Sequence, residues 1–152
     1  MTRCLAILLC ACTPAAASQS VHVYDGDTLS VDGTRWRLWG VDAPELDQAC
    51  TDDNGLTGCG PRARDNLAAL VAGKPVSCTA VGRSYDRIVG RCFAGGVDLS
   101  AAQVEAGWAM DYVTYSHGAY EPQQTAAMTE RRGLWRMHFV PPWEWRRLNR
   151  RK

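Results

Sequence analysis

Apolar and polar residues alternate in two adjacent runs in the first third of the chain. Leu29-Ser30-Val31 and the run from Thr34 to Trp39 flank Asp32-Gly33. This dipeptide between alternating runs is the strongest short signal for a β-hairpin, so we expect two paired strands here. Val21 to Tyr24 comes just before and predicts another strand.

Further strands are predicted in the second half of the chain. The runs from Pro75 to Val81 and from Arg87 to Phe93 form an antiparallel pair if Tyr85 lies near the centre of the connecting turn. The apolar run from Trp108 to Tyr112 predicts one more short strand. The strands are therefore short and separated by turn residues.

Three helices are expected between these strands. The first begins at Gly60-Pro61 and ends at Ala72, before Gly73, because proline favours the first helical position and glycine a helix end. Asp98 caps a second helix that ends at Ala106, and a third runs over residues 121–132. The pattern indicates an α+β fold that is mainly β: a five-stranded Greek-key barrel of the OB type with about three helices.

Two segments carry no such pattern. Residues 47–60 are polar, contain Gly55 and Gly58, and are expected to form an exposed loop. Pro141-Pro142-Trp143-Glu144-Trp145 is expected to lie extended against the domain, with its tryptophans as packing anchors. The basic residues that follow, through Lys152, are interpreted as a solvated, partly disordered tail.

The first residues have the pattern of an export signal. Arg3 supplies a positive charge, Cys4 to Cys12 is apolar but too short to span a bilayer, and Ala15-Ala16-Ala17 is a small-residue cleavage site. Attachment of a lipid at Cys12 is the alternative. We therefore divide the chain into a signal peptide (1–17), one domain (18–140) and a basic tail rich in proline and tryptophan (141–152), and expect an exported, monomeric protein.

Four cysteines lie beyond this leader: Cys50, Cys59, Cys78 and Cys92. An even number in an exported domain indicates disulfides, and four cysteines permit three pairings. Spacing favours Cys50 with Cys59, across the polar loop, and Cys78 with Cys92, across the predicted strand pair. A zinc site is the competing interpretation, although no two cysteines have the close spacing that zinc sites use.

Charged residues are concentrated between Asp25 and Glu45. Asp25, Asp27, Arg37, Asp42 and Glu45 are separated by turn residues and short strands, and Asp25-Gly26-Asp27-Thr28 is predicted to be a tight turn in which Gly26 adopts a positive φ. If the hairpin folds back on this turn, carboxylates and a guanidinium converge. Carboxylates held together favour a hard divalent cation between them. The alternative is a turn with ordinary surface charges.

The grouping of these acidic residues with Arg37 indicates a candidate enzyme active site. Arg37 could bind a phosphate group beside the cation, and Glu45 could orient or deprotonate a water molecule. The chain has 17 basic and 16 acidic residues, so its net charge alone does not indicate a polyanionic partner. The basic C-terminus could nevertheless steer the protein towards a polyanion.

Three motifs in order resemble the staphylococcal nuclease family. They are Val23-Tyr24-Asp25-Gly26-Asp27-Thr28, the run from Arg37 to Glu45, and Tyr85-Asp86-Arg87, with further likeness at Glu105 to Ala109 and Arg131 to Trp135. The resemblance covers about Val21 to Trp135. It implies an OB-fold barrel and calcium-dependent hydrolysis of phosphodiester bonds in DNA and RNA.

The resemblance also implies a role for each matching residue. Asp27, Asp42 and the backbone carbonyl of Ala43 would bind Ca²⁺. Arg37 and Arg87 would clamp the phosphate, and Glu45 would act on the attacking water. Tyr85 and Tyr115 would contact the nucleotide.

Two positions depart from the family pattern. Ala43 replaces a threonine, with little expected effect because the main chain supplies the ligand. Asp86 replaces a glycine, and its carboxylate is expected to pair with Arg87 and to alter a positive-φ position.

The sequence therefore predicts an exported, calcium-dependent, sequence-nonspecific nuclease that leaves 3′-phosphate products. The alternative is an OB-fold module that binds nucleic acid, single strands above all, without cutting it. The five charged residues Asp27, Arg37, Asp42, Glu45 and Arg87 favour catalysis, because a pure binder has no use for a metal-binding acidic cluster.

Overall fold

The computed structural model describes residues 19–149. The predicted signal peptide (1–17), including Cys12, and the last three residues of the basic tail lie outside this range. Ten strands occur in the described part of the chain: β1 Val21–Val23, β2 Thr28–Val31, β3 Thr34–Leu38, β4 Val41–Asp42, β5 Ala49–Asp52, β6 Gly55–Gly58, β7 Val76–Ser84, β8 Arg87–Ala94, β9 Val97–Asp98 and β10 Met110–Asp111. The helices are α1 Cys59–Val71, α2 Leu99–Glu105, α3 Val113–Ser116, α4 Glu121–Thr129 and α5 Pro142–Asn149, with a 3₁₀ turn at Gly133–Arg136.

The main sheet has the strand order β1-β2-β3-β8-β7, and β9 pairs with β8. Neighbouring strands in this sheet run antiparallel, except β3 and β8, which run parallel. The predicted hairpin turn is confirmed, since Asp32 and Gly33 both have positive φ, at 49° and 80°, as a type I′ turn requires. The expected mainly β, OB-type α+β fold is confirmed.

One apolar core joins the sheet to the helices. Leu29 and Leu38 from the sheet, Leu67 from α1, and Leu99 and Val104 from α2 are almost completely buried. The helical periodicity of α1 brings Ala63, Leu67 and Val71 onto this core. The core therefore holds α1 and α2 against the sheet, next to the turn that contains Asp25 and Asp27.

Two segments differ from the sequence-based expectation. The predicted polar loop contains the hairpin β5–β6, in which Asp52 pairs with Gly55. The segment expected to be extended is the helix α5, which begins at Pro142 because a proline at the first helical position needs no hydrogen-bond donor. The sequence-based prediction treated Gly55 and Gly58 as loop residues and Pro142 as a residue that interrupts a helix. In the structure the glycines belong to a strand and the proline begins a helix.

Smaller differences concern lengths and partners. The predicted strand from Trp108 to Tyr112 contains only β10, which pairs with β4 and not with the main sheet. The helix predicted over residues 121–132 ends at Thr129, and Arg131 has a positive φ of 52°. None of the helices within residues 19–149 has the length and apolar content to cross a bilayer.

Both expected disulfides are present. Cys50 and Cys59 join β5 to the beginning of α1, and Cys78 lies directly opposite Cys92 in the β7–β8 pair. The zinc interpretation is thereby excluded for these four cysteines. A disulfide that closes a loop of about 15 residues contributes on the order of 3 kcal/mol by restricting the unfolded chain.

The turn that contains Asp25 and Asp27 is pressed against α1. Gly26 does not have the predicted positive φ; it is needed because a Cβ there would lie 2.6 Å from the Cβ of Ala43 and 2.7 Å from that of Ala63. Gln103 of α2 is completely buried, and its Nε2 donates to the carbonyl oxygens of Gly26 at 2.6 Å and Ala63 at 3.1 Å. Close packing and two hydrogen bonds therefore fix the backbone of this turn.

We predict that Gly26→Ala lowers the free energy of unfolding by about 1–3 kcal/mol, because the added methyl group overpacks the contact with Ala43 and Ala63. Urea unfolding followed by circular dichroism measures the change. Gly82→Ala is the matched control, since a Cβ at Gly82 meets nothing within 4 Å. Equal stability of the two variants would contradict the packing argument.

We predict that Gln103→Leu costs about 1–3 kcal/mol, because it leaves the buried carbonyl of Gly26 without its donor. Glu105→Gln, an exposed change on the same helix, should alter stability by no more than about 0.5 kcal/mol. Thermal unfolding of both variants tests this. A Gln103→Leu protein as stable as the Glu105→Gln protein would mean that the buried amide does not hold the turn.

Candidate active site

The strand register brings the acidic turn next to Arg37. Thr28 of β2 pairs with Arg37 of β3, and the amide of Leu38 donates to the carbonyl oxygen of Asp27 at 2.8 Å. The chain then turns at Gly40 and enters β4, which carries Asp42. The predicted convergence of Asp27, Arg37 and Asp42 is therefore present, and it results from one hairpin and the short strand after it.

Arg37 lies between two carboxylates. Its Nη2 is 2.9 Å from Asp27 Oδ2 and 2.7 Å from Asp42 Oδ1. Burial would lower the pKa of Arg37, but the charges of Asp27 and Asp42 reverse the effect, so the net direction is upward. Arg37 therefore stays charged and offsets the repulsion between the carboxylates.

Both carboxylates are held by further contacts. Asp27 accepts hydrogen bonds from the hydroxyl of Thr28 at 2.9 Å and the amide of Ala43 at 3.3 Å. The side chain of Asp42 is fully buried. Burial raises the pKa of Asp42, and hydrogen bonds from Arg146 oppose that rise.

Asp25 is the third carboxyl group of this cluster. It accepts a hydrogen bond from the amide of Asp27 at 3.0 Å. Burial, followed by the charge of Asp27, raises the pKa of Asp25 to about 6. Burial is thus the main cause of the raised pKa of Asp25, and repulsion by Asp27 adds to it.

Arg87 is placed on the same side of the sheet and is not bound by Asp86. Its Nη1 donates to the Thr28 hydroxyl at 3.2 Å. Asp86 is exposed and lies 3.6 Å from Arg35 instead. Positive φ occurs at Tyr85, at 56°, and not at Asp86. The expected pairing of Asp86 with Arg87 is wrong, because the turn directs that carboxylate towards β3.

A cleft of about 580 Å³ collects most of the predicted residues. Among the residues that line it are Asp27, Arg37, Ala43, Glu45, Tyr85, Arg87 and Tyr115. Asp42 lies beneath its surface. Tyr85 is 93% exposed and Tyr115 is 59% exposed, and they come from two separate elements, the β7–β8 turn and α3. A ligand in the cleft would therefore meet both exposed aromatic rings and the guanidinium groups of Arg37 and Arg87.

The C-terminal helix contributes a residue that sequence reasoning missed. Arg146 donates from Nη1 to Asp42 Oδ1 at 3.0 Å and Glu45 Oε1 at 2.8 Å, and from Nη2 to Asp42 Oδ2 at 2.8 Å. Burial would lower the pKa of Arg146, but these hydrogen bonds raise it overall. The basic segment predicted to be solvated thus sends one arginine into the acidic cluster.

Gln48 was also missed by the sequence analysis. It is buried; its Oε1 accepts from the amide of Glu45 at 3.2 Å, and its Nε2 donates to the carbonyl oxygen of Val140 at 2.7 Å. Gln48 thus links the segment that carries Glu45 to the chain just before α5. A buried glutamine in a polar segment gives no periodic signal, so only the fold shows its role.

The carboxylate oxygens of the site are chemically suited to bind a hard divalent cation. Asp27 and Asp42 offer carboxylate oxygens of the kind that Ca²⁺ and Mg²⁺ prefer, and such ions commonly complete their shells with backbone carbonyls and water. Within residues 19–149, no three acidic, histidine or cysteine side chains are grouped as a metal site. The two carboxylates therefore fit the predicted ion only together with ligands of other kinds, such as the carbonyl of Ala43.

Two known proteins are similar in sequence to this chain. The chain is 41% identical over 118 residues to the succinoglycan biosynthesis protein ExoI of Rhizobium meliloti (strain 1021), covering 75% of this chain and 62% of ExoI. It is 30% identical over 131 residues to a probable staphylococcal-like nuclease, CAN1, of Oryza sativa subsp. japonica, covering 82% of this chain and 36% of CAN1. The chain thus spans less than two thirds of the length of either relative.

The family assignment comes from a match along most of the folded domain. A sequence model described as staphylococcal nuclease homologue matches residues 35–137. That region includes all of β3 except Thr34, the acidic segment after it and Arg87. The chain belongs to the staphylococcal nuclease family.

Proposed function

We propose that this protein is a calcium-dependent nuclease that hydrolyses phosphodiester bonds of DNA and RNA without sequence specificity. The observation that carries the proposal is the convergence of Asp27, Arg37, Asp42, Glu45 and Arg87 around one cleft. Acidic oxygens for a hard cation, guanidinium groups for a phosphate and a separate carboxylate for a water molecule are what phosphodiester hydrolysis requires.

The two arginines bind the phosphate in this proposal. Arg37 and Arg87 both line the cleft, and a guanidinium group can donate two hydrogen bonds to phosphate oxygens. Because they are charged in the ground state and fixed by Asp27 and Thr28, they stabilise the negative charge that grows in the transition state. A bound Ca²⁺, held by Asp27, Asp42 and the Ala43 carbonyl, would supply further positive charge there.

Glu45 acts on the attacking water. Its side chain is about one third exposed, at 34%, and lines the cleft, so a water molecule can reach its carboxylate. It orients that water and accepts its proton as general base. Arg146 contacts only Oε1 of Glu45, so Oε2 is the oxygen that accepts the proton.

Nucleotide contacts are assigned to Tyr85 and Tyr115. Their exposed rings line the cleft and can stack on a base of any identity. Contacts to phosphate and stacking on a ring do not involve the hydrogen-bonding groups that distinguish one base from another, so the enzyme discriminates little between sequences. Unpaired strands expose their bases and are the favoured substrate.

The protein is proposed to act outside the cytoplasm as a monomer. The two disulfides are of the kind that persist in oxidising compartments, which supports export through the predicted signal at residues 1–17. The 3′-phosphate product follows from the family resemblance.

The proposal predicts that the chain from Ser18 releases acid-soluble fragments from denatured DNA in calcium and that a chelator abolishes the release. Analysis of fragment ends then identifies the phosphate position. Folded protein that binds denatured DNA but releases nothing in calcium would instead support the non-catalytic module.

We further predict that Glu45→Gln lowers the rate at least about a hundredfold with the fold intact, because the amide cannot accept the proton of water. Hydrolysis of denatured DNA in saturating calcium, with circular dichroism for the fold, measures this. A Glu45→Gln rate within a few-fold of wild type would remove Glu45 from the mechanism.

We predict that Asp86→Asn keeps the rate within about threefold, because its exposed carboxylate pairs with Arg35 and does not contact Arg87. The same assay measures it. A rate raised tenfold or more by Asp86→Asn would show that the carboxylate restrains Arg87 in solution.

A further inference from the structure

The two carboxylates of Asp42 and Glu45 are already neutralised by a residue of the protein itself. Nη1 of Arg146 donates to Asp42 Oδ1 and to Glu45 Oε1, and Nη2 donates to Asp42 Oδ2. Arg37 takes a further position on Asp42 Oδ1. Each oxygen of Asp42 is therefore engaged by a guanidinium group.

The helix that carries Arg146 is docked by contacts outside the acidic cluster. The ring of Trp143 stacks on Tyr112 at 5.6 Å, with 3° between the planes, and Gln48 binds the carbonyl oxygen of Val140 just before the helix. These contacts place Arg146 at the cleft, and they join α5 to the part of the chain that carries Glu45. Docking of α5 and pairing of Arg146 with Asp42 are thus geometrically coupled.

A divalent cation and Arg146 compete for these oxygens. Asp42 Oδ1 accepts from both Arg37 and Arg146, which uses both of its lone pairs, and the Arg146 guanidinium group also lies against Oδ2. A metal ion that coordinates a carboxylate oxygen at about 2.3–2.6 Å would therefore lie next to a positive charge. A guanidinium group does not lose its proton at any physiological pH. Arg146 can therefore leave the cluster only by moving away, and α5 then loses the three hydrogen bonds that tie it to Asp42 and Glu45.

We propose that Arg146 is an internal cation that competes with the divalent metal for Asp42 and Glu45, and that metal binding undocks the helix α5. This inference relies on the metal site of the proposed function. The competition is reciprocal by thermodynamic linkage. The free energy by which docked Arg146 weakens metal binding equals the free energy by which bound metal weakens the docking of α5. Because Nη1 contacts Glu45 Oε1 as well, the docked helix also occupies one oxygen of the carboxylate assigned to the water.

The experiment compares metal affinity among variants of the helix. Calcium binding to the chain from Ser18 is titrated by calorimetry for wild type, Arg146→Gln and Arg147→Gln. Arg147 is the matched control, because it lies next to Arg146 on α5 but pairs with the exposed Glu144. We expect Arg146→Gln to bind calcium at least about tenfold more tightly, within the usual range of coupling between two sites, and Arg147→Gln to stay within about twofold of wild type. Unchanged or weaker binding by Arg146→Gln overturns the proposal.

A second measurement uses the wild-type protein and does not depend on a variant that folds. Amide hydrogen exchange of residues 142–149 is followed with and without saturating calcium. We expect calcium to speed exchange in α5 and to leave α4, which contributes no residue to the cleft, unaffected. Exchange in α5 that is unchanged or slowed by calcium overturns the proposal, because the metal and the docked helix would then be compatible.

The readouts separate this inference from the nuclease proposal. If calcium binds more tightly to Arg146→Gln but no protein hydrolyses DNA, the nuclease proposal fails and the competition stands. If wild type hydrolyses DNA and Arg146→Gln needs as much calcium for half-maximal rate as wild type, the competition fails and the nuclease proposal stands.

Discussion

The sharing of Arg37 by two carboxylates is the interaction on which the site depends. Asp42 is fully buried and Asp27 nearly so, and the two lie on either side of one guanidinium group. Burying like charges together is expensive unless an opposite charge lies within hydrogen-bond distance. The β2–β3 hairpin provides that charge, because it places Arg37 opposite Thr28, the residue after Asp27. Without this register the acidic turn could not pack against the core.

A rigid backbone keeps these charges in place. Gly26 lets the turn approach α1, Gln103 ties the Gly26 carbonyl to α2, and Gln48 ties Glu45 to the segment before α5. Each contact joins the site to a different part of the chain. The functional side chains are therefore supported by buried polar side chains and close backbone packing as well as by the apolar core.

Local signals predicted most of the fold and much of the site. Asp32-Gly33 identified the hairpin because only a few residue pairs tolerate two successive positive φ values. The pairing of Cys78 with Cys92 followed from the position of the turn near Tyr85. The helix α5 was missed because Pro142 was taken as an interruption, although it has the geometry of a first helical residue. The hairpin β5–β6 was missed because Gly55, with a φ of 105°, was interpreted as a loop residue.

Arg146 could not be predicted because its partner lies 104 residues away. Periodicity and turn chemistry report on neighbours along the chain, whereas this ion pair depends on where the last helix docks. The formal charges of the cluster show why the contact matters. Asp25, Asp27, Asp42 and Glu45 face Arg37, Arg87 and Arg146, which leaves the site slightly negative. If a divalent ion replaced one of these positive charges, as proposed, it would remove that excess, and a phosphate group would then meet no net repulsion. Without the ion, the docked arginine supplies the positive charge that the buried Asp42 carboxylate needs.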